Sequence, residues 1–165
     1  MDTFTIVYID NALDPDKDTL ENRTLSYLTK TFKSPDTAVL SFFRLNDAKD
    51  YFLDQSNGCD LLISDQNLWW GEQENGSHTY RDANTFVSFV LEKRPDLKST
   101  PIIVYTDSPS GVKNRWKGDG IDIKNIVEKY NYDPNDPRKH WEILADNVRI
   151  LLPSNLREGN IKKER

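Results

Sequence analysis

The chain has 165 residues, a formal net charge of −5 and a pI near 5.1. That length suits one domain with a real core, and the acidic balance argues against a general nucleic-acid binder. The lone Cys59 excludes an internal disulfide and a cysteine zinc cage. No leader pattern and no run of about 18 apolar residues is present, so a cytoplasmic protein with no membrane insertion is expected.

Phe4 to Ile9 is rich in β-branched and aromatic residues and predicts a first strand ending on Asp10-Asn11. Leu20, Leu25, Leu28 and Phe32 predict an amphipathic helix over Thr19 to Phe32, broken by Ser34-Pro35-Asp36. Ala38 to Phe43 is a second strand, and Asn46 is the expected N-cap of a short helix carrying Ala48, Tyr51 and Phe52. Leu61-Leu62-Ile63 is too short for an ordinary helix and suits a strand buried on both faces, ending at Asp65. Cys59, at its edge, is expected to be a buried free thiol.

Gln66 to Thr79 is predicted as a long loop with Trp69 and Trp70, and Tyr80 to Arg94 as a helix closed by Pro95. Pro101 to Tyr105 is a fourth strand ending on Thr106, and Ser108 to Lys117 a weak helix interrupted by Pro109 and Gly111. Lys124 to Lys129 is a fifth strand. Asp136-Pro137 reads as the start of a closing helix that runs to about Leu152 and is stopped by Pro153. One domain over residues 1–153 is expected, with a frayed charged tail over 154–165. Five strands alternating with helices predict an α/β fold with a parallel sheet covered on both faces.

In such sheets chemistry gathers beyond the carboxyl ends of the strands. Asp10, Asp65, Thr106 and Lys129 all stand at strand ends and are expected to converge. Two neighbouring carboxylates repel unless a cation lies between them, and Mg²⁺ suits such a pair. An ammonium and a hydroxyl beside them would hold the oxygens of a phosphoryl group. A carboxylate facing that array can act as the nucleophile and form an acyl phosphate.

Ile9-Asp10-Asn11, Asp60-Leu61-Leu62-Ile63-Ser64-Asp65, Thr100 to Thr106 and Val127-Glu128-Lys129, in that order, resemble the receiver domain of two-component response regulators. The resemblance covers about residues 4 to 152. It implies the three-layer flavodoxin-like order 2-1-3-4-5. It also implies Asp65 as phosphoacceptor, Thr106 as phosphoryl partner, Lys129 as the switch cation, and a Mg²⁺ site of Asp10, Asn11, Asp65 and the main-chain carbonyl of Asn67. A histidine kinase or phosphotransfer protein would be the phosphoryl donor, a further protein the downstream partner. Because the chain ends after the fifth helix, a stand-alone receiver is expected.

Several positions depart from that pattern. Asn11 stands where a second acid is usual, Asp107 where a small residue follows the Thr, Ile126 at the aromatic position of the fifth strand, and Tyr130 where Pro follows the Lys. A neutral amide at Asn11 predicts weaker Mg²⁺ binding. The alternative is a degenerate receiver that acts as a phosphorylation-independent interaction module, with the Trp69-Trp70 loop as one candidate contact.

Other signals carry less. Asp14, Asp16 and Asp18 open like a calcium loop, but Thr19 and Leu25 stand where Gly and Glu are needed. His78 and His140 have no spaced partners and are expected on the surface. Trp116 and Trp141 are expected in the core. A strand-end Asp also serves haloacid-type hydrolases, which want a second acid where Asn67 stands.

Overall fold

The computed structural model describes residues 2–72, 78–130 and 133–161, with side chains described outside 69–72, 78–81 and 158–161. The elements are β1 (Phe4–Ile9), α1 (Leu20–Thr31), β2 (Thr37–Phe42), α2 (Leu45–Leu53), β3 (Leu61–Ser64), β4 (Asn67–Glu72) and β5 (His78–Asp82). They continue with α3 (Ala83–Lys93), β6 (Ile102–Thr106), α4 (Val112–Gly118), β7 (Asn125–Glu128), α5 (His140–Leu151) and α6 (Ser154–Ile161). The main sheet is parallel throughout, in the order β2-β1-β3-β6-β7. That is the predicted 2-1-3-4-5 order, because the fourth and fifth strands of the sheet are β6 and β7.

Alternation along each strand builds two cores. Val7, Ile9, Leu62, Ile102 and Val104 face one side, where Ala48 and Phe52 of α2, Phe86 and Val90 of α3 and Trp116 of α4 pack on them. Ile6, Tyr8, Leu61, Ile63, Ile103 and Tyr105 face the other, against Leu28 and Phe32 of α1 and Leu144 and Val148 of α5. Trp116 is fully buried, as expected, whereas Trp141 is only half-buried. Cys59 is buried, and that burial pushes its thiol up to about 12.

Several expectations are corrected. The segment from Gln66 to Thr79 is not a plain loop: β4 and β5 pair antiparallel as a separate hairpin. Leu68, Trp69, Trp70, Thr79 and Tyr80 have the β-favouring character that supports it. Residues 73–77 lie outside the described part, as do the side chains of Trp69, Trp70 and His78. Because Tyr80 to Asp82 pair with β4, α3 begins only at Ala83, after the extended Asp82. Helix α2 begins at Leu45 with Arg44 as its N-cap, so Asn46 is already inside the helix.

Helix α4 begins at Val112, since Gly111 turns left-handed ahead of it (φ 71°). Helix α5 begins at His140 rather than at Pro137. The Glu142 carboxylate accepts from the Lys139 backbone N–H at 2.6 Å and fixes that start. Beyond Pro153 the tail forms α6 over Ser154–Ile161, with Leu156 against the α1–α5 core and Arg157 Nε donating to the Leu152 carbonyl. Residues 162–165 lie outside the described part. Among the described residues no helix is long and apolar enough to cross a membrane.

Candidate functional site

The sheet itself aims the site. Asp10 N–H donates to the Phe42 carbonyl at 3.1 Å, Asp65 N–H to Ile9 at 3.0 Å and Lys129 N–H to Thr106 at 2.9 Å. The ladders thus continue one residue past each strand. Parallel strands put those residues on one rim. There Lys129 Nζ lies 2.6 Å from Asp10 Oδ2, 3.1 Å from Glu21 Oε1 and 3.4 Å from Asp65 Oδ2. Asp10 and Lys129 are buried, whereas the Asp65 side chain keeps 14% of its surface open and is the carboxylate a reagent can reach.

Two backbone donors order the two aspartates. Gln66 N–H donates to Asp65 Oδ1 at 2.7 Å, and the nearby Thr106 hydroxyl helps hold the Asp65 carboxyl down. Ala12 N–H donates to Asp10 Oδ1 at 2.9 Å. Thr106 Oγ1 accepts in turn from Ser108 N–H at 3.2 Å. The exposed Asp107 carboxylate accepts from Ser108 Oγ at 3.1 Å.

Three carboxylates against one ammonium leave the pocket short of positive charge. Burial, reinforced by the Asp65 charge, pushes Asp10 up to about 6 despite the Lys129 ammonium beside it. Burial also raises Asp65, opposed by Lys129, Thr106 and the Gln66 N–H. Burial alone would lower Lys129; the carboxylates of Asp10, Asp65 and Glu21 outweigh it and keep the ammonium charged well above its ordinary range.

Below the rim the polar chain extends to α1 and α5. The Lys129 ammonium lies 5.3 Å over the Tyr105 ring. The Tyr105 hydroxyl bonds Thr24 Oγ1 at 3.2 Å and His140 Nδ1. His140 is therefore buried, not on the surface, and burial holds its ring below the ordinary histidine value. Tyr130, next to Lys129, takes a left-handed backbone (φ 59°) and sets its ring 5.9 Å from His140.

The four strand-end residues therefore share one pocket. Asn11 donates its side-chain amide N–H to the Phe43 carbonyl at 3.0 Å, and Asn67 opens β4 two residues after Asp65. Glu21 and Gln66 were missed. Glu21 reads as an acid in a helix's first turn, which the helix dipole alone would favour. No clustered set of three or more His, Cys, Asp and Glu suited to a metal occurs among the described residues. Asp10 and Asp65 still fit Mg²⁺, which takes one or two carboxylates and keeps its waters, and the shortage of positive charge favours it.

No family model matches the chain, and no curated protein does either. Solved structures do match. Chemotaxis protein CheY4 of Vibrio cholerae has a TM-score of 0.56 at 16% identity, covering 91% of this chain and 99% of that one. The receiver-fold likeness decides the class. This chain has the response-regulator receiver fold. A CheY-like response regulator receiver domain protein from Methanospirillum hungatei superposes on the receiver fold at TM-score 0.55 and 10% identity, over 98% of both chains. A response regulator receiver protein from Pseudoalteromonas atlantica does so at 0.54 and 15% identity, over 89% of this chain and 95% of that one. The β4–β5 hairpin forms a two-stranded sheet of its own, separate from the five-stranded one.

Proposed function

We propose that this receiver accepts a phosphoryl group on Asp65 from the phosphohistidine of a histidine kinase or phosphotransfer protein, and signals by protein contact. The observation that supports it is the single pocket shared by Asp10, Asp65, Thr106 and Lys129. Gln66 N–H holds Asp65 Oδ1, so Oδ2, beside the ammonium, is the attacking oxygen. As the new O–P bond forms, the donor's N–P bond breaks, and the ring leaves as neutral imidazole when its other nitrogen carries a proton. Lys129 and the Thr106 hydroxyl offset the charge on the transferred oxygens. Mg²⁺, held by Asp10 and Asp65, would supply further positive charge to those oxygens. Output through the face of α4, β7 and α5 completes the proposal.

A second reading keeps the fold and drops the chemistry: a receiver that binds its partner without phosphorylation. It is favoured by Lys129 already lying between Asp10 and Asp65, with Glu21 as a third anchor, and by the neutral Asn11 standing where a second acid is usual. Incubation with acetyl phosphate and Mg²⁺ separates the two. The first expects a mass gain of one phosphate that Asp65→Asn removes. No gain, together with no Mg²⁺ binding in calorimetry, leaves the second.

A further inference from the structure

Gln66, the residue after the candidate phosphoacceptor, is fully buried and makes four hydrogen bonds to three different places. Its N–H donates to Asp65 Oδ1 at 2.7 Å, and its carbonyl accepts from Ala83 N–H, at the start of α3, at 2.7 Å. Its side-chain Oε1 accepts from Trp116 Nε1 at 2.7 Å, and its Nε2 donates to Asn84 Oδ1 at 3.1 Å. Asn84 Nδ2 then donates to Asp119 Oδ2 at 2.6 Å.

The direction of this chain is fixed at both ends. An indole N–H can only donate and a carboxylate only accepts, so the two amides between them have one allowed orientation. Neither can flip without leaving a buried polar atom unpaired, which is unfavourable in a low-dielectric interior.

Both ends of the chain belong to α4: Trp116 is within it and Asp119 caps it. That helix has little of its own to hold it. It spans seven residues, starts from a left-handed glycine and has no side-chain N-cap bond. Isolated helices this short are marginal in water. Its seat on the sheet therefore depends on the fully buried Val112 and Trp116 and on the bonds that Trp116 and Asp119 make.

We propose that Gln66 is a positioning residue that couples the charge on Asp65 to the seat of α4 through Trp116 and Asp119. A charged acceptor makes a hydrogen bond about twice as strong as a neutral one. Removing the charge on Asp65 weakens its hold on the Gln66 N–H. Gln66 then shifts, and because its side chain has only one satisfied arrangement, the indole bond lengthens or breaks. The proposal deepens the phosphoacceptor reading but is tested apart from it, since a neutral side chain at residue 65 is a sufficient trigger.

The experiment follows the indole N–H resonances of the ¹⁵N-labelled full chain, with the Trp116 signal assigned through Trp116→Phe. Asp65→Asn is expected to shift the Trp116 resonance and speed its solvent exchange at least tenfold, with the half-buried Trp141 unchanged. Wild type with beryllofluoride and Mg²⁺ is expected to give the same response, the ¹⁹F signal reporting occupancy. Gln66→Asn keeps the backbone N–H at Asp65 but withdraws the amide from the indole, and should remove both responses. A folded Asp65→Asn protein whose Trp116 signal and exchange match wild type overturns the coupling. So does a site saturated with beryllofluoride and a silent indole. If beryllofluoride fails to bind while Asp65→Asn moves Trp116, the coupling stands and the phosphoacceptor reading falls.

Discussion

Replacing Asp10 by Asn removes a carboxylate that the fold holds against its own preference. Asp10 rises from an ordinary 3.8 to about 6 because it is buried beside a second acid. At about 1.4 kcal/mol for each pKa unit, keeping it ionised at neutral pH costs about 3 kcal/mol of folding stability. A carboxylate whose pKa is higher in the folded state binds its proton more tightly there. Its penalty is absent below pH 3.8, grows as pH rises toward 6, and is complete above about pH 7.

The Asn side chain carries no such dependence, while Lys129 keeps Glu21 and Asp65 as partners. Wild type should therefore lose about 2 kcal/mol relative to Asp10→Asn between pH 4 and pH 7.5, part of the penalty being present already at pH 4, or about 4–8 °C in Tm for a chain of this size. Urea denaturation of the two proteins across that range, without divalent cations, measures the difference directly. Two stability curves that stay parallel from pH 4 to 7.5 would refute the charge shortage argued for the pocket.

Lys129→Met strips three carboxylates of their shared cation. It should destabilise the protein by about 3–5 kcal/mol at pH 7.5, and equilibrium unfolding at pH 4.5 should show much of the loss restored as the acids protonate. Arg94 is buried, and its guanidinium donates to the carbonyls of Phe52, Asp54 and Asn57 and to the Asp96 carboxylate. Lysine cannot reproduce that fork, so Arg94→Lys should lower stability by about 2–3 kcal/mol in urea melts. An unchanged midpoint would show that the guanidinium is not what fixes the end of α2.

The fold and four site residues were legible for one reason. Short apolar runs such as Leu61-Leu62-Ile63 announce parallel strands, and parallel strands bring their far ends together. Asp10, Asp65, Thr106 and Lys129 follow from that geometry without any contact being known. Glu21 did not follow, because it is drawn inward by Lys129, 108 positions further along the chain. His140 was hidden in the same way: only the fold brings it against Tyr105. The hairpin was missed although Asn75-Gly76 is a strong turn signal between β-favouring runs; Gly71 and the polar residues around it made the stretch read as a loop. The buried role of Gln66 was unreadable, since a glutamine after a strand gives no sign of an indole waiting on a helix 50 positions away.

Cys59 gives the protein a built-in clock. Its sulfur lies under the α2–α3 side of the sheet, and its thiol is pushed up to about 12. Thiolate is the reactive form of the side chain, so the native protein offers almost none of it to an alkylating reagent. Labelling can proceed only through states in which that layer has lifted from the strands. The speed at which the reagent consumes the sulfur thus counts openings of one half of the molecule, while the half built on α1 and α5 contributes no background.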